Sequence, residues 1–96
     1  MRPSEALAIH RDALRELVGR YDVTRPRVFG SVLTGTDTED SDLDLLVEPR
    51  DSTTLMTIAG LQIDAEELLG VSVDVLTPDG LPRKFRDKVL RQAEPL

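Results

Sequence analysis

The chain has 96 residues, 40% of them apolar and 31% charged, enough for one small domain over residues 1–96 that hides about two-thirds of its unfolded surface. With no cysteine, disulfides, thiolate metal sites and cysteine nucleophiles are excluded, so any metal must be held by oxygen ligands or by His10, which favours a hard ion such as Mg²⁺. A net charge of −6 and three aromatics, Tyr21, Phe29 and Phe85, argue against direct nucleic-acid binding, and no apolar run approaches the roughly 20 residues of a membrane span.

Residues 4–19 place Leu7, His10, Leu14, Leu17, Val18 and Tyr21 at helical intervals, with Ser4 as N-cap and Gly19 near the end. This charged, amphipathic start lacks the apolar centre of a signal peptide, so a cytoplasmic location is expected. After Pro26, Arg27-Val28-Phe29 reads as a brief strand that runs into a turn at Gly30-Ser31. The stretch from Thr34 to Ser41 is entirely Gly, Thr, Asp, Glu and Ser, the composition of a loop. Asp42 to Val47 alternates, with Leu43, Leu45 and Val47 on one face and Asp42, Asp44 and Leu46 on the other, the period of a strand. A second helix is predicted from Ser52 or Thr53, with Leu55, Ile58, Gln62, Ala65 and Leu69 as its stripe and Gly70 as C-cap. Gly60 inside it suggests either a close helix contact or simple tolerance. Val71 to Leu76 alternates again, with Asp74 opposite the valines, and Thr77-Pro78-Asp79-Gly80 turns the chain. Leu81 to Ala93 forms a basic amphipathic helix with Phe85, Val89 and Leu90 toward the core. The order α-β-loop-β-α-β-α predicts an α/β (α+β) fold, a small mixed sheet flanked by helices.

Charge is uneven along the chain: Asp37 to Asp51 holds seven acids and one base, and Arg83 to Arg91 holds five bases and one acid. Asp42 and Asp44, two apart on a strand, point to one side. Pairing the two alternating strands with their aliphatic faces together brings Asp74 beside them. Two carboxylates about 4 Å apart repel by roughly 4 kcal/mol at an effective dielectric near 20, a cost that a divalent cation removes. An Asp-x-Asp taken alone is more commonly a solvated strand face. Gly30-Ser31 upstream changes the balance, because glycine lets backbone approach a phosphate and the serine hydroxyl and amides donate to its oxygens. Gly35 adds a second flexible point. Two other phosphate or metal motifs fail: Gly30-x4-Gly35 is followed by Thr36 where a P-loop needs Lys, and Asp40-x-Asp42-x-Asp44 has Leu45 where an EF-hand needs Gly.

Gly30-Ser31, ten residues, then Asp42-Leu43-Asp44 resembles the signature of the DNA polymerase beta type nucleotidyltransferase superfamily. Over residues 4–92 the chain is similar to its minimal, MNT-type members. The resemblance implies the nucleotidyltransferase fold, ATP as substrate and two Mg²⁺ ions. It implies that Gly30, Ser31, Gly35 and Ser41 hold the nucleotide and that Asp42, Asp44 and Asp74 bind metal, Asp74 also helping to deprotonate the acceptor hydroxyl. Many relatives carry Arg before the second glycine, where this chain has Thr34. Arg83, Lys84 or Arg86 could supply that charge, although a solvated helix face is their plainer reading. His10 reads as a packing residue.

A domain this small has little surface left to enclose an acceptor, which points to an acceptor presented by another protein. MNT proteins resemble the antitoxin half of HEPN/MNT toxin–antitoxin pairs, so the resemblance implies AMP transfer to a tyrosine of a HEPN ribonuclease toxin, in a hetero-oligomer with it. Two other readings stand beside this one: an antitoxin that neutralises by binding alone, and a small-molecule nucleotidyltransferase of the antibiotic-modifying kind. The latter usually carries an extra helical domain, which is not seen here.

Overall fold

The computed structural model describes all residues from Met1 to Leu96. Helix α1 spans Pro3–Gly19, strand β1 Val23–Phe29, a single turn of helix α2 Ser31–Thr34, β2 Leu43–Pro49, α3 Leu55–Leu69, β3 Val73–Leu76, α4 Arg83–Gln92 and β4 Glu94–Pro95. The four strands form one mixed sheet in the order β3-β2-β1-β4. β1 runs antiparallel to β2 and β4, and β2 runs parallel to β3. This is the mixed sheet with flanking helices that the element order predicts.

Strand β2 explains why helices pack on both faces of the sheet. Leu43, Leu45 and Val47 face α1 and α3 in a core with Leu14, Leu61, Ala65, Val73 and Val75. Leu46 points the other way and is as fully buried, packed with Phe29 and Leu81 beneath Leu76, Val89 and Leu90. Both faces of β2 are therefore covered, one by α1 and α3 and the other by α4. No helix is long and apolar enough to cross a membrane.

Several boundaries differ from the sequence expectation for identifiable reasons. α1 begins at Pro3, with Glu5 accepting a hydrogen bond from the Arg2 backbone N–H at 3.1 Å, so Ser4 lies inside the helix rather than capping it. Proline suits that first position because its missing N–H would have no helical partner there. His10 sits half-buried at a kink in α1, with φ −114° and ψ 15°. β1 starts four residues earlier than Arg27, because a bulge between Thr24 and Arg27 lets Pro26 join a strand that pairs on both sides. β4 is absent from the sequence reading: a two-residue strand has no periodicity, and only its pairing with Arg27 and Val28 defines it.

Two helices are shorter than predicted. α3 starts at Leu55 behind Thr54, whose side chain accepts from the Thr57 N–H at 3.2 Å while Thr57 Oγ1 accepts from the Thr54 N–H at 3.1 Å. Leu55, placed by periodicity on the inner stripe, is 88% exposed; Leu61, Ala65 and Leu69 form the buried stripe. Gly60 has the close-contact role: a Cβ there would stand 3.3 Å from Tyr21 Cε1, at the point where the Tyr21 hydroxyl donates to Asp64. β3 begins at Val73, leaving Val71 and Ser72 outside the strand, and α4 at Arg83 instead of Leu81. Phe85, predicted to face the core, is 52% exposed.

Candidate active site

The two alternating strands meet as their faces predict. In the parallel ladder Asp44 is the register partner of Asp74, and the flanking pairs Leu43–Val73 and Leu45–Val75 turn into the α1/α3 core. Alternation then puts Asp44 and Asp74 on the α4 side of the sheet, both half-buried. Asp42 lies just ahead of β2, exposed, rather than on the strand itself. It remains close enough to act on Asp44. Burial, then the charge of Asp74, then that of Asp42, raises the Asp44 carboxyl from its ordinary value to about 6.

None of the three acids has a basic partner: the ion pairs of the chain involve Glu5, Asp12, Glu16, Asp22, Glu39 and Glu48. Three hard oxygen donors with uncompensated charge fit a divalent cation such as Mg²⁺. They are not gathered into a finished cage, since no group of three or more His, Cys, Asp or Glu converges as a metal cluster.

Gly30 follows β1 and sits directly beneath Asp44. A Cβ on Gly30 would overlap Asp44 Oδ2 and stand 3.1 Å from its Cγ. Its backbone has φ 76° and ψ −151°, a region essentially open to glycine only. The turn and the carboxylate thus require each other. Ser31 is half-buried at the start of α2 and its hydroxyl has no hydrogen-bond partner within the chain, leaving it available. The turn at 30–31, read from sequence as a strand end, opens into this helical turn.

The remaining nucleotide candidates have structural work already. Gly35 ends α2 in the left-handed conformation, φ 76°, with its N–H on Ser31 O. Ser41 Oγ accepts from the Thr38 N–H at 2.9 Å and closes the loop. Thr34 bonds Thr36 through their hydroxyls at 2.9 Å. Among the basic candidates, Arg86 donates to the carbonyls of Asp79 and Leu81, each at 3.2 Å, which pins the turn before α4; Arg83 and Lys84 are exposed and unpaired.

Asp37 escaped the sequence reading. It is buried in the loop between α2 and β2, where its carboxylate accepts from the Ser4 N–H at 2.9 Å. That backbone hydrogen bond is the main reason its carboxyl is held below the ordinary range. It ties the loop that precedes Asp42 to the first turn of α1. Its only sequence signal is an acid among many, because its partner is 33 residues away.

The sequence model of the nucleotidyltransferase domain family matches residues 7–94. A protein adenylyltransferase of Thermococcus cleftensis, MntA, is 36% identical over 86 residues, which span 90% of this chain and 84% of the relative. A Methanocaldococcus jannaschii protein assigned as a protein adenylyltransferase is 35% identical over 74 residues, 77% of this chain and 80% of its own. A solved structure assigned as a minimal nucleotidyltransferase superposes with a TM-score of 0.85 at 46% identity, covering 97% of this chain and 95% of that one. A toxin–antitoxin structure with AMP-PNP shares the fold, with a TM-score of 0.74 at 20% identity, over 88% of this chain and 69% of that one.

Proposed function

The chain belongs to the nucleotidyltransferase domain family, and from that premise we propose that it moves AMP from ATP to a tyrosine hydroxyl of a HEPN ribonuclease toxin, acting as its antitoxin. The observation that carries the site is the register pairing of Asp44 with Asp74 above Gly30. The protein-adenylyltransferase relatives support a protein acceptor, and the toxin–antitoxin structure of the same fold supports a toxin partner.

In this reading Gly30 and Ser31 hold the triphosphate, the Ser31 hydroxyl donating to a phosphate oxygen. Asp42, Asp44 and Asp74 would hold two Mg²⁺ ions, which when bound offset the phosphate charge in an in-line displacement. The acceptor oxygen bonds to the α-phosphorus as the bond to pyrophosphate breaks, and the hydroxyl proton passes to Asp74. AMP remains on the acceptor and pyrophosphate leaves. No covalent enzyme intermediate is needed.

Incubation with ATP, Mg²⁺ and the toxin should add one or more AMP units to the toxin, read by intact mass. Asp42→Asn with Asp44→Asn should abolish the addition. An unchanged toxin mass under conditions where ATP binds would overturn the reading, and neutralisation in cells that survives the double substitution would assign the chain to neutralisation by binding alone.

A further inference from the structure

Beyond the acids, the face of the sheet that carries them holds an open cavity of about 370 Å³, between α4, the end of β1 and β3. Its apolar walls are Phe29, Leu76, Leu81 and Val89. It reaches Gly30, the glycine beneath Asp44, and Thr34 of the same turn. Leu76 lies two residues beyond Asp74 on the same strand face, so from Gly30 beside Asp44 the cavity extends to a wall about 7 Å along the sheet from Asp74.

The α4 wall is laid out at helical spacing. Phe85, Lys88, Val89 and Gln92 all line the cavity, an aromatic face and two hydrogen-bonding side chains from one stripe. Phe85 is half-exposed, although a domain with only three aromatics would normally bury it. Lys88 makes no ion pair, and neither Lys88 nor Gln92 makes a side-chain hydrogen bond. An apolar slot with an aromatic wall and free polar groups at one edge suits a flat heteroaromatic ring with ring nitrogens and exocyclic groups.

We propose that this cavity holds the nucleobase of the donor triphosphate, stacked on Phe85 with its polar edge toward Lys88 and Gln92. The proposal rests on the nucleotidyltransferase reading above and adds to it where the base lies. Continuity supports this occupant, since the cavity opens at the turn that would hold the phosphates, as a base joined to them through its sugar requires. The ring of an acceptor tyrosine fits less well. Its one hydroxyl has to reach the acids, which leaves Lys88 and Gln92 nothing to bond.

The test compares Mg²⁺·ATP with Mg²⁺·tripolyphosphate, which lacks base and sugar, by titration calorimetry without any partner protein. Wild type should bind ATP the more tightly. Phe85→Ala should weaken ATP by roughly 5- to 100-fold and leave tripolyphosphate unchanged; Lys88→Met with Gln92→Leu should also narrow the gap between the two ligands. Circular dichroism checks that these variants, changed at exposed residues of the cavity wall, keep the fold. Equal weakening of both ligands, or of neither, overturns the proposal, while the nucleotidyltransferase reading stands as long as wild type binds them. Unchanged ATP affinity with weakened toxin binding would assign the cavity to the acceptor and overturn it too. If wild type binds neither ligand, the nucleotidyltransferase reading falls and the proposal falls with it.

Discussion

Replacing Gly30 with alanine should damage the protein twice, and the two parts can be separated. The backbone part comes from φ 76° and ψ −151°, where a Cβ costs about 1–3 kcal/mol. The steric part comes from Asp44, whose carboxylate occupies the space a Cβ would take. Together they should cost about 2–4 kcal/mol, a large share of the roughly 5–15 kcal/mol that holds a domain together. At roughly 4–8 °C per kcal/mol the melting temperature should fall by about 8–32 °C. The companion is Asp44→Ala, which leaves only a Cβ, 3.4 Å from the added methyl and within ordinary contact. In the double variant the steric part should vanish and the backbone part remain, giving a coupling energy of about 0.5–3 kcal/mol. Thermal melts of the four metal-free proteins at one pH complete the cycle. If Asp44→Ala does not reduce the cost of Gly30→Ala, the carboxylate is not seated over the glycine and the account of that turn is refuted.

Asp44 also sets a pH dependence. Its folded carboxyl, raised to about 6 from 3.8, binds a proton over a range where the unfolded chain has lost it, so metal-free stability should fall as pH rises from about 4 to 6. The full shift corresponds to about 3 kcal/mol, which solvent screening of a half-buried group reduces to about 1. Melts of Asp44→Asn should show no such fall, and Mg²⁺ affinity of wild type should drop as pH goes below 6. Asp37 has the opposite sign: its depressed carboxyl contributes above the ordinary carboxylate range and loses that contribution in acid. Asp37→Asn should therefore melt lower than wild type at neutral pH, the gap closing below about pH 4. Leu46→Ala, at a fully buried position, should cost about 2–5 kcal/mol in denaturant unfolding, whereas Leu55→Ser should change stability by about 0.5 kcal/mol or less. A comparable loss at Leu55 would restore it to the inner stripe of α3.

Much of the candidate site was legible because its signals are local. Leucine and valine alternate with Asp44 and Asp74 within each strand, so the face of each acid follows from a period of two. Gly30 and Gly70 mark backbone positions that few other residues accept. Asp42 was placed on the strand because alternation does not reveal where pairing stops, and pairing with β3 begins at Leu43. The α2 turn was hidden because four residues carry no helical period.

By itself, the sequence determined the order of the longer elements, the buried identity of β2, and an acid pair with no cysteine to compete for a metal. Tertiary structure decided the rest, for a physical reason common to each case: the partners lie far apart in the chain. Asp44 meets Asp74 only through the β2–β3 register. Asp37 is buried only because the α1 N-terminus needs its carboxylate, and β4 exists only through its pairing with β1. Whether an apolar side chain such as Leu55 or Phe85 is covered depends on which surface is brought against it, and no periodicity within its own helix specifies that.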